Sequence, residues 1–389
     1  MDPLDVVMIA LLCAGISRTL LRLKERNTPR LLALGFTSLM ILSIARGMLD
    51  HGVTSAANES RAYAGSLAAV LYFLTAELDT TSIRRFLAAY LCYGGALTVV
   101  ALLAYAGFDV GAIAWAHHAQ GAELGIDGRC LPSDAALAIA ICFILALGTT
   151  GCWPRLRGTA KWLAPIFLGM AVFLRHRTIW VALAFGIATL AMLDKRSFRR
   201  LIPMLVLSVF AIAAITAISG ESRHDTTGQF TESAENEGTF MWRVNSWKAL
   251  LLDKDQTLST VMFGKSVGSG YWRYDIGSGG YIDVAPHSEY VTYYLRVGIL
   301  GLMFFLWYLL RTVRIIWMAA RDNSDAFVPP AAIWAAMLVV ILIYNITYFA
   351  PQDAYAIFAL TNAFIASTAM ANGEHISLDR SLTISMEEI

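Results

Sequence analysis

Apolar stretches suited to crossing ~30 Å of hydrocarbon recur along the chain at roughly 4–20, 31–49, 62–78, 86–106 and 134–151. Others lie at about 162–174, 178–194, 201–219, 294–311, 331–349 and 354–370. Each predicts a membrane helix, eleven in all within a range of 10–12. The pair 162–174 and 178–194 falls short of the usual ~20 residues and reads as a tight hairpin. The first run has no charged segment before it and no cleavage pattern, so it reads as a retained span rather than a signal peptide.

The polar positions between runs orient them. Arg22, Lys24, Arg26 and Arg30 follow the first run, and Arg84 and Arg85 the third. Arg155, Arg157 and Lys161 follow the fifth; Lys195, Arg196, Arg199 and Arg200 follow the seventh; Arg311, Arg314 and Arg321 follow the ninth. With eleven alternating spans all these connections share one side, which the positive-inside rule makes cytoplasmic. The connections 50–61, 107–133, 175–177, 220–293 and 350–353 then face outward. The predicted organisation is an N-terminal bundle at 1–219, a large outer loop at 220–293, C-terminal helices at 294–370 and a polar inner tail at 371–389.

Composition agrees with this class. Of 389 residues, 57% are hydrophobic and 15% charged, against about 45–50% and about 25% in soluble domains. The predicted fold is an all-α polytopic membrane protein. A net charge of +1 offers nothing for nucleic acid. Of Cys13, Cys92, Cys130, Cys142 and Cys152, only Cys130 falls in an outer connection, so no outer disulfide pair is available.

Polar groups held in or beside a bilayer are costly and mark candidate sites. Three such places face outward. The first is "LRHRTIWVAL", 174–183, where Arg175, His176 and Arg177 form the hairpin tip. Long side chains there could simply snorkel; alternatively, paired guanidinium groups suit a phosphate. The second is "GTFMWRVNSWKALLLD", 238–253, in which Phe240, Val244, Trp247 and Leu251 share a helical face suited to the membrane interface. Arg243 lies beside that face, where it can point at the membrane surface, although taken alone it reads first as an ordinary surface arginine. Downstream, Gly264, Gly268 and Gly270 predict a flexible turn that permits close backbone approach, without P-loop spacing. The third is "PHSEYVTYYLRVGILGL", 286–302. His287 could accept a proton near neutral pH or be structural, and Tyr290, Tyr293 and Tyr294 read as an aromatic belt. A metal site finds little support: His117 and His118 are adjacent rather than spaced as ligands, and Asp253 and Asp255 make a lone charged pair.

In order, an arginine before "TIWVAL", then "WRVNSWKAL" and "FGKSVGSG", then a histidine before "YYLRVGILGL" resemble the O-antigen ligase and polymerase superfamily of bacterial membrane glycosyltransferases. The resemblance covers roughly 160–310. It implies a GT-C-type helical fold, and transfer of a glycan from undecaprenyl pyrophosphate to a sugar hydroxyl without metal or other cofactor. It further implies that Arg177 and Arg243 hold the pyrophosphate and that His287 is the general base. Arg175, His176, Arg296 and Glu289 are weaker substrate-binding candidates. The chain departs from the pattern in having Ser288 rather than Asn after the histidine, and His176 before the hairpin arginine. His176 is thereby a rival proton acceptor.

Three functions follow as expectations. One is a polymerase of exopolysaccharide, capsule or O-antigen, to which the wording "FGKSVGSGYWRYD" inclines. The second is a ligase passing the glycan to lipid A-core. The third is a lipid or anion transporter, disfavoured because neither inverted repeats nor paired broken helices are visible. Implied surroundings are the inner membrane, an outward-facing site, membrane lipids and other polysaccharide-assembly proteins.

Overall fold

The computed structural model describes residues 3–21, 28–76, 79–106, 130–152, 157–194, 203–210, 238–252, 256–275, 279–321 and 331–348, with a few single positions besides. The expected pairs His117–His118 and Asp253–Asp255, the tail and nearly all of the run at 354–370 lie outside them.

Seven helices make up the described N-terminal part: α1 (Pro3–Leu21), α2 (Thr28–Asp50), α3 (Val53–Phe73), α4 (Thr80–Tyr105), α5 (Ser133–Cys152), α6 (Arg157–Phe173) and α7 (Arg177–Leu193). A further helical stretch occupies 203–210. After it come α8 (Gly238–Leu251), α9 (Leu258–Phe263), strands β1 (Trp272–Asp275) and β2 (Gly280–Asp283), then α10 (Glu289–Arg321) and α11 (Ala331–Thr347). Among the described residues α2, α4 and α10 are long and apolar enough to cross a membrane, and six shorter apolar stretches accompany them. Together these occupy the first seven expected runs, the ninth and the tenth. The tally of eleven therefore stands only in part.

Helices α5 and α11 are apolar all round, the pattern of a helix surrounded by others. From Ala136 to Leu147 every side chain of α5 is fully buried. Small residues let neighbours close on them: Gly148 of α5 meets Ile333 of α11, and Gly186 of α7 meets Val340. The pairs α7–α11, α5–α6, α1–α3 and α2–α10 form the main contacts of the bundle.

Three expectations need correction. The chain is not purely helical: β1 and β2 pair antiparallel with Trp272 opposite Asp283 and Tyr274 opposite Tyr281. Their turn contains Gly279 at φ 67, and side chains alternate in exposure, Trp272 65%, Arg273 5% and Tyr274 53%. Of the tyrosines expected as a belt, Tyr293 is buried in the interior, and Tyr290 and Tyr294 are half-buried against protein. Tyr293 packs edge-on against Phe36 at 5.0 Å and Phe305 at 4.7 Å, while the Tyr290 hydroxyl donates to Leu342 O. Tyr294 packs against the Leu250, Tyr271 and Leu295 cluster.

Finally, the ninth run is not one helix from 294. It begins at Glu289 and breaks at Gly298, whose φ of 65 and ψ of −169 are outside helical space. A β-carbon at Gly298 would collide with the Met262 backbone, and one at Gly264 (φ 77) with the backbone of Arg296 and Val297. The two chain segments therefore meet backbone to backbone, as only glycine permits. Carbonyls released by the break find partners: Lys265 N donates to Leu295 O at 2.7 Å, and Ser43 Oγ donates to Arg296 O at 2.6 Å.

Candidate active site

The hairpin tip is built from a short turn. Leu174 N donates to Met170 O and Arg175 N to Val172 O, closing α6. Arg175 then takes φ 57, and His176 caps the start of α7 in extended backbone. No acidic residue occupies the first turn of α7 and His176 makes no side-chain cap. Arg177, the first helical residue, thus adds its charge to a helix end that is already positive, a combination that attracts anions.

The tip faces two ways. Arg175 and His176 are buried, at 1% and 5% exposure, and turn toward the segment before α5. His176 Nε2 lies 3.1 Å from Leu131 O, and Arg175 acts on the Cys130 thiol, which burial pushes up to about 11. Arg177 is half-buried, and its neighbour Thr178 has Oγ1 3.0 Å from Thr347 Oγ1, at the end of α11.

That end of α11 is where the other two motifs arrive. The Arg243 guanidinium lies 4.4 Å from the centre of the Tyr348 ring, within cation–π range. Glu289 N, two residues beyond His287, donates to Tyr348 O at 3.2 Å. Trp247 Nε1 of α8 donates to Pro286 O at 2.5 Å, fixing α8 to the residue before His287. The interfacial helix expected here is consequently docked on protein: Ser246 and Leu250 are buried and Trp247 half-buried, whereas Phe240 is 51% exposed.

His287 occupies left-handed backbone at φ 49, and among the described residues only it and Arg175 do so without being glycine. Such conformations cost of order 1–3 kcal/mol and cluster at functional sites. Ser288, beside it, caps α10: Val291 N points at its Oγ, and Thr292 Oγ1 donates to its carbonyl at 2.8 Å. Burial pushes the His287 imidazole down to about 4, with the Arg243 and Arg273 charges adding to the effect. At neutral pH the ring is therefore uncharged, and a weaker base than an ordinary imidazole.

This depression has a measurable consequence. An ordinary imidazole titrates near 6.5, so between about 4 and 6.5 the unfolded chain binds more protons at this position than the folded one. The contribution of His287 to stability is level above pH 6.5 and declines as pH falls toward 4. Thermal transitions of purified protein should drop more steeply from pH 6.5 to 4.5 in the wild type than in His287→Asn. Identical slopes would contradict the buried, neutral histidine.

The remaining candidates divide. Glu289 is 1% exposed and lines a cavity of about 30 Å³ with Thr37, Ser66, Tyr293 and Asn345, inside the bundle. Arg296, expected near the donor, is a structural cation. It is fully buried and donates from Nε to Glu59 Oε1 at 2.5 Å, from Nη1 to Ser269 Oγ at 2.5 Å and from Nη2 to Gly270 O at 2.9 Å. Its guanidinium covers the Tyr271 ring at 4.1 Å. Glu59 in turn accepts from Gly268 N and the Tyr271 hydroxyl. The pair ties the loop to α3.

Four contributors went unnoticed in the sequence: Thr347, Tyr348, Trp242 and Arg273. Trp242 stands between Arg273, 5.6 Å from its ring centre, and His287, 6.1 Å ring to ring, and its Nε1 donates to Asp275 Oδ1 at 2.8 Å. The alternation in "YWRYD" before a glycine-rich turn was the available signal for a strand with Arg273 facing inward. Among the described residues no group of three or more His, Cys, Asp or Glu side chains clusters as a metal site would require.

Residues 162–306 match the family model described as O-antigen ligase. That is the superfamily whose motifs the sequence resembles, and the match contains Arg177, Arg243, Arg273 and His287. Members of that superfamily are O-antigen ligases or polymerases in polysaccharide assembly. Comparison with curated proteins found no match.

Proposed function

We propose, with the O-antigen ligase match over residues 162–306 as premise, that this protein transfers a glycan from undecaprenyl pyrophosphate to an acceptor sugar hydroxyl. The reaction takes place at the outer face of the bacterial inner membrane. One observation carries the reading: the start of α7, the Arg243 guanidinium and the turn holding His287 all meet Thr347, the last residue of α11, or Tyr348 just beyond it. Three motifs far apart in sequence thus converge on one short stretch.

In the proposed reaction, His287 takes the proton of the acceptor hydroxyl as that oxygen bonds to C1 of the donor sugar. The C1–O bond to pyrophosphate breaks and its electron pair leaves on the phosphate oxygen. Arg177 and Arg243, together with the positive end of α7, stabilise that growing charge. A single displacement of this kind inverts the anomeric centre. His287 suits the base role better than His176, whose Nε2 is at hydrogen-bond distance from Leu131 O.

The acceptor proposed is the end of a second lipid-linked glycan, which makes the enzyme a polymerase. The description of the matching family favours a second reading, a ligase that uses lipid A-core. Gel analysis of lipid-linked glycans from a deletion strain distinguishes them. Loss of a polymerase leaves the carrier loaded with single repeat units. Loss of a ligase leaves long chains on the carrier and bare lipid A-core. Unchanged glycans of every kind would sink both.

A further inference from the structure

Arg273 is a buried cation that neither the motifs nor the proposed reaction uses. Strand β1 turns it inward, and its Nη1 is committed to the hairpin, donating to Tyr271 O at 3.0 Å and Val284 O at 2.6 Å. Its Nη2 is also buried, yet among the described residues it has no hydrogen-bond partner. A buried guanidinium nitrogen without an acceptor is costly and is the group an anionic ligand would satisfy. Arg243 is similar: its Nε is buried with no partner among the described residues, and its own face is held by Tyr348. Both guanidinium groups act on His287.

We propose that Arg273 and Arg243 form a seat for a phosphate-type oxyanion beside His287, with Arg273 donating to the anion through Nη2. For the identity of the anion, the pyrophosphate of a lipid-linked donor, the assignment rests on the function proposed above. The aromatic supports explain how two like charges are kept together when the seat is empty. Trp242 lies beside Arg273 and Tyr348 under Arg243, while the Asp275 and Asp283 carboxylates act on Arg273 from the hairpin.

Occupation of the seat has a chemical consequence. The charged groups acting on His287 are Arg243 from α8 and Arg273 from β1. An anion lying between them offsets both and raises the basicity of the imidazole. His287 thus becomes a stronger base when the donor has arrived.

The test measures binding of inorganic pyrophosphate to the purified full chain in detergent, with Arg273→Gln, Arg273→Lys and Arg243→Gln compared with wild type. Loss of one charge-assisted hydrogen bond should weaken binding about tenfold to a hundredfold in Arg273→Gln. Arg273→Lys can still donate to Tyr271 O and Val284 O, so it should keep the wild-type thermal transition yet bind pyrophosphate weakly. Turnover should report the same residue. In Arg273→Gln the acid limb of kcat/KM should move to higher pH, because one cation that holds His287 neutral is gone. Wild-type affinity in either Arg273 variant overturns the assignment. So does failure of Arg273→Lys to restore the thermal transition, which would make the guanidinium purely a hairpin brace. If Arg243→Gln and Arg177→Gln also bind and turn over normally, the proposed function falls as well; if only the Arg273 variants do, that function survives.

Discussion

Replacing His287 with Asn is expected to slow glycan transfer by about 100- to 10,000-fold, the usual contribution of a general base, while the protein still folds. Asparagine is the informative choice because the position is in left-handed backbone, φ 49, which Asn tolerates far better than most residues. An alanine there would mix loss of the base with backbone strain. The neighbouring Ser288 cap and the Glu289 N bond to Tyr348 O do not involve the imidazole, so the turn should hold. The measurement is product formation by purified wild-type and variant protein at saturating acceptor, with the thermal transition as a folding control. Transfer within a few-fold of wild type from a stably folded Asn variant would remove His287 from the chemistry.

Arg296→Met is expected to act on folding rather than on chemistry. Truncation leaves Glu59, half-buried beside Tyr63 and Tyr271, without its cation, and it strips the donors from Ser269 Oγ and Gly270 O. Breaking one side of a buried ion pair costs about 3–5 kcal/mol. That is a large share of the 5–15 kcal/mol typical of a folded domain. The full-length variant should therefore melt well below wild type in detergent and accumulate poorly in membranes. Adding Glu59→Gln should recover part of the loss, since the stranded charge is then gone. If Arg296→Met melts like wild type but fails to bind donor, the structural role of the Arg296–Glu59 pair is wrong and a donor contact is right.

The hydropathy pattern placed the described helices closely, since a membrane run is set by local composition: 331–349 was expected where α11 runs Ala331–Thr347. Motif order brought out Arg177, Arg243 and His287, whose surroundings do converge. What stayed hidden was pairing over long separations. Arg296 looked like a donor contact because its partner, Glu59, is 237 positions away. The tyrosines of 290–294 looked like a belt because nothing local says that Phe36 and Phe305 wait for them. The hairpin was missed because its strands are four residues each, too short for a periodicity to stand out beside the glycines. Gly298 lies within an apolar run, and only the Met262 backbone pressed against it reveals a break.

That break separates two parts of α10 that answer to different surroundings. Residues 299–310 are apolar and suited to the bilayer, whose thickness changes helix tilt can accommodate. Residues 289–297 are held instead by Ser43 of α2 and by the backbone of 265 just beyond α9. A change in lipid composition that tilts the long segment need not rotate the turn bearing His287. The proposed reaction centre would thereby be insulated from the mechanical state of the surrounding membrane.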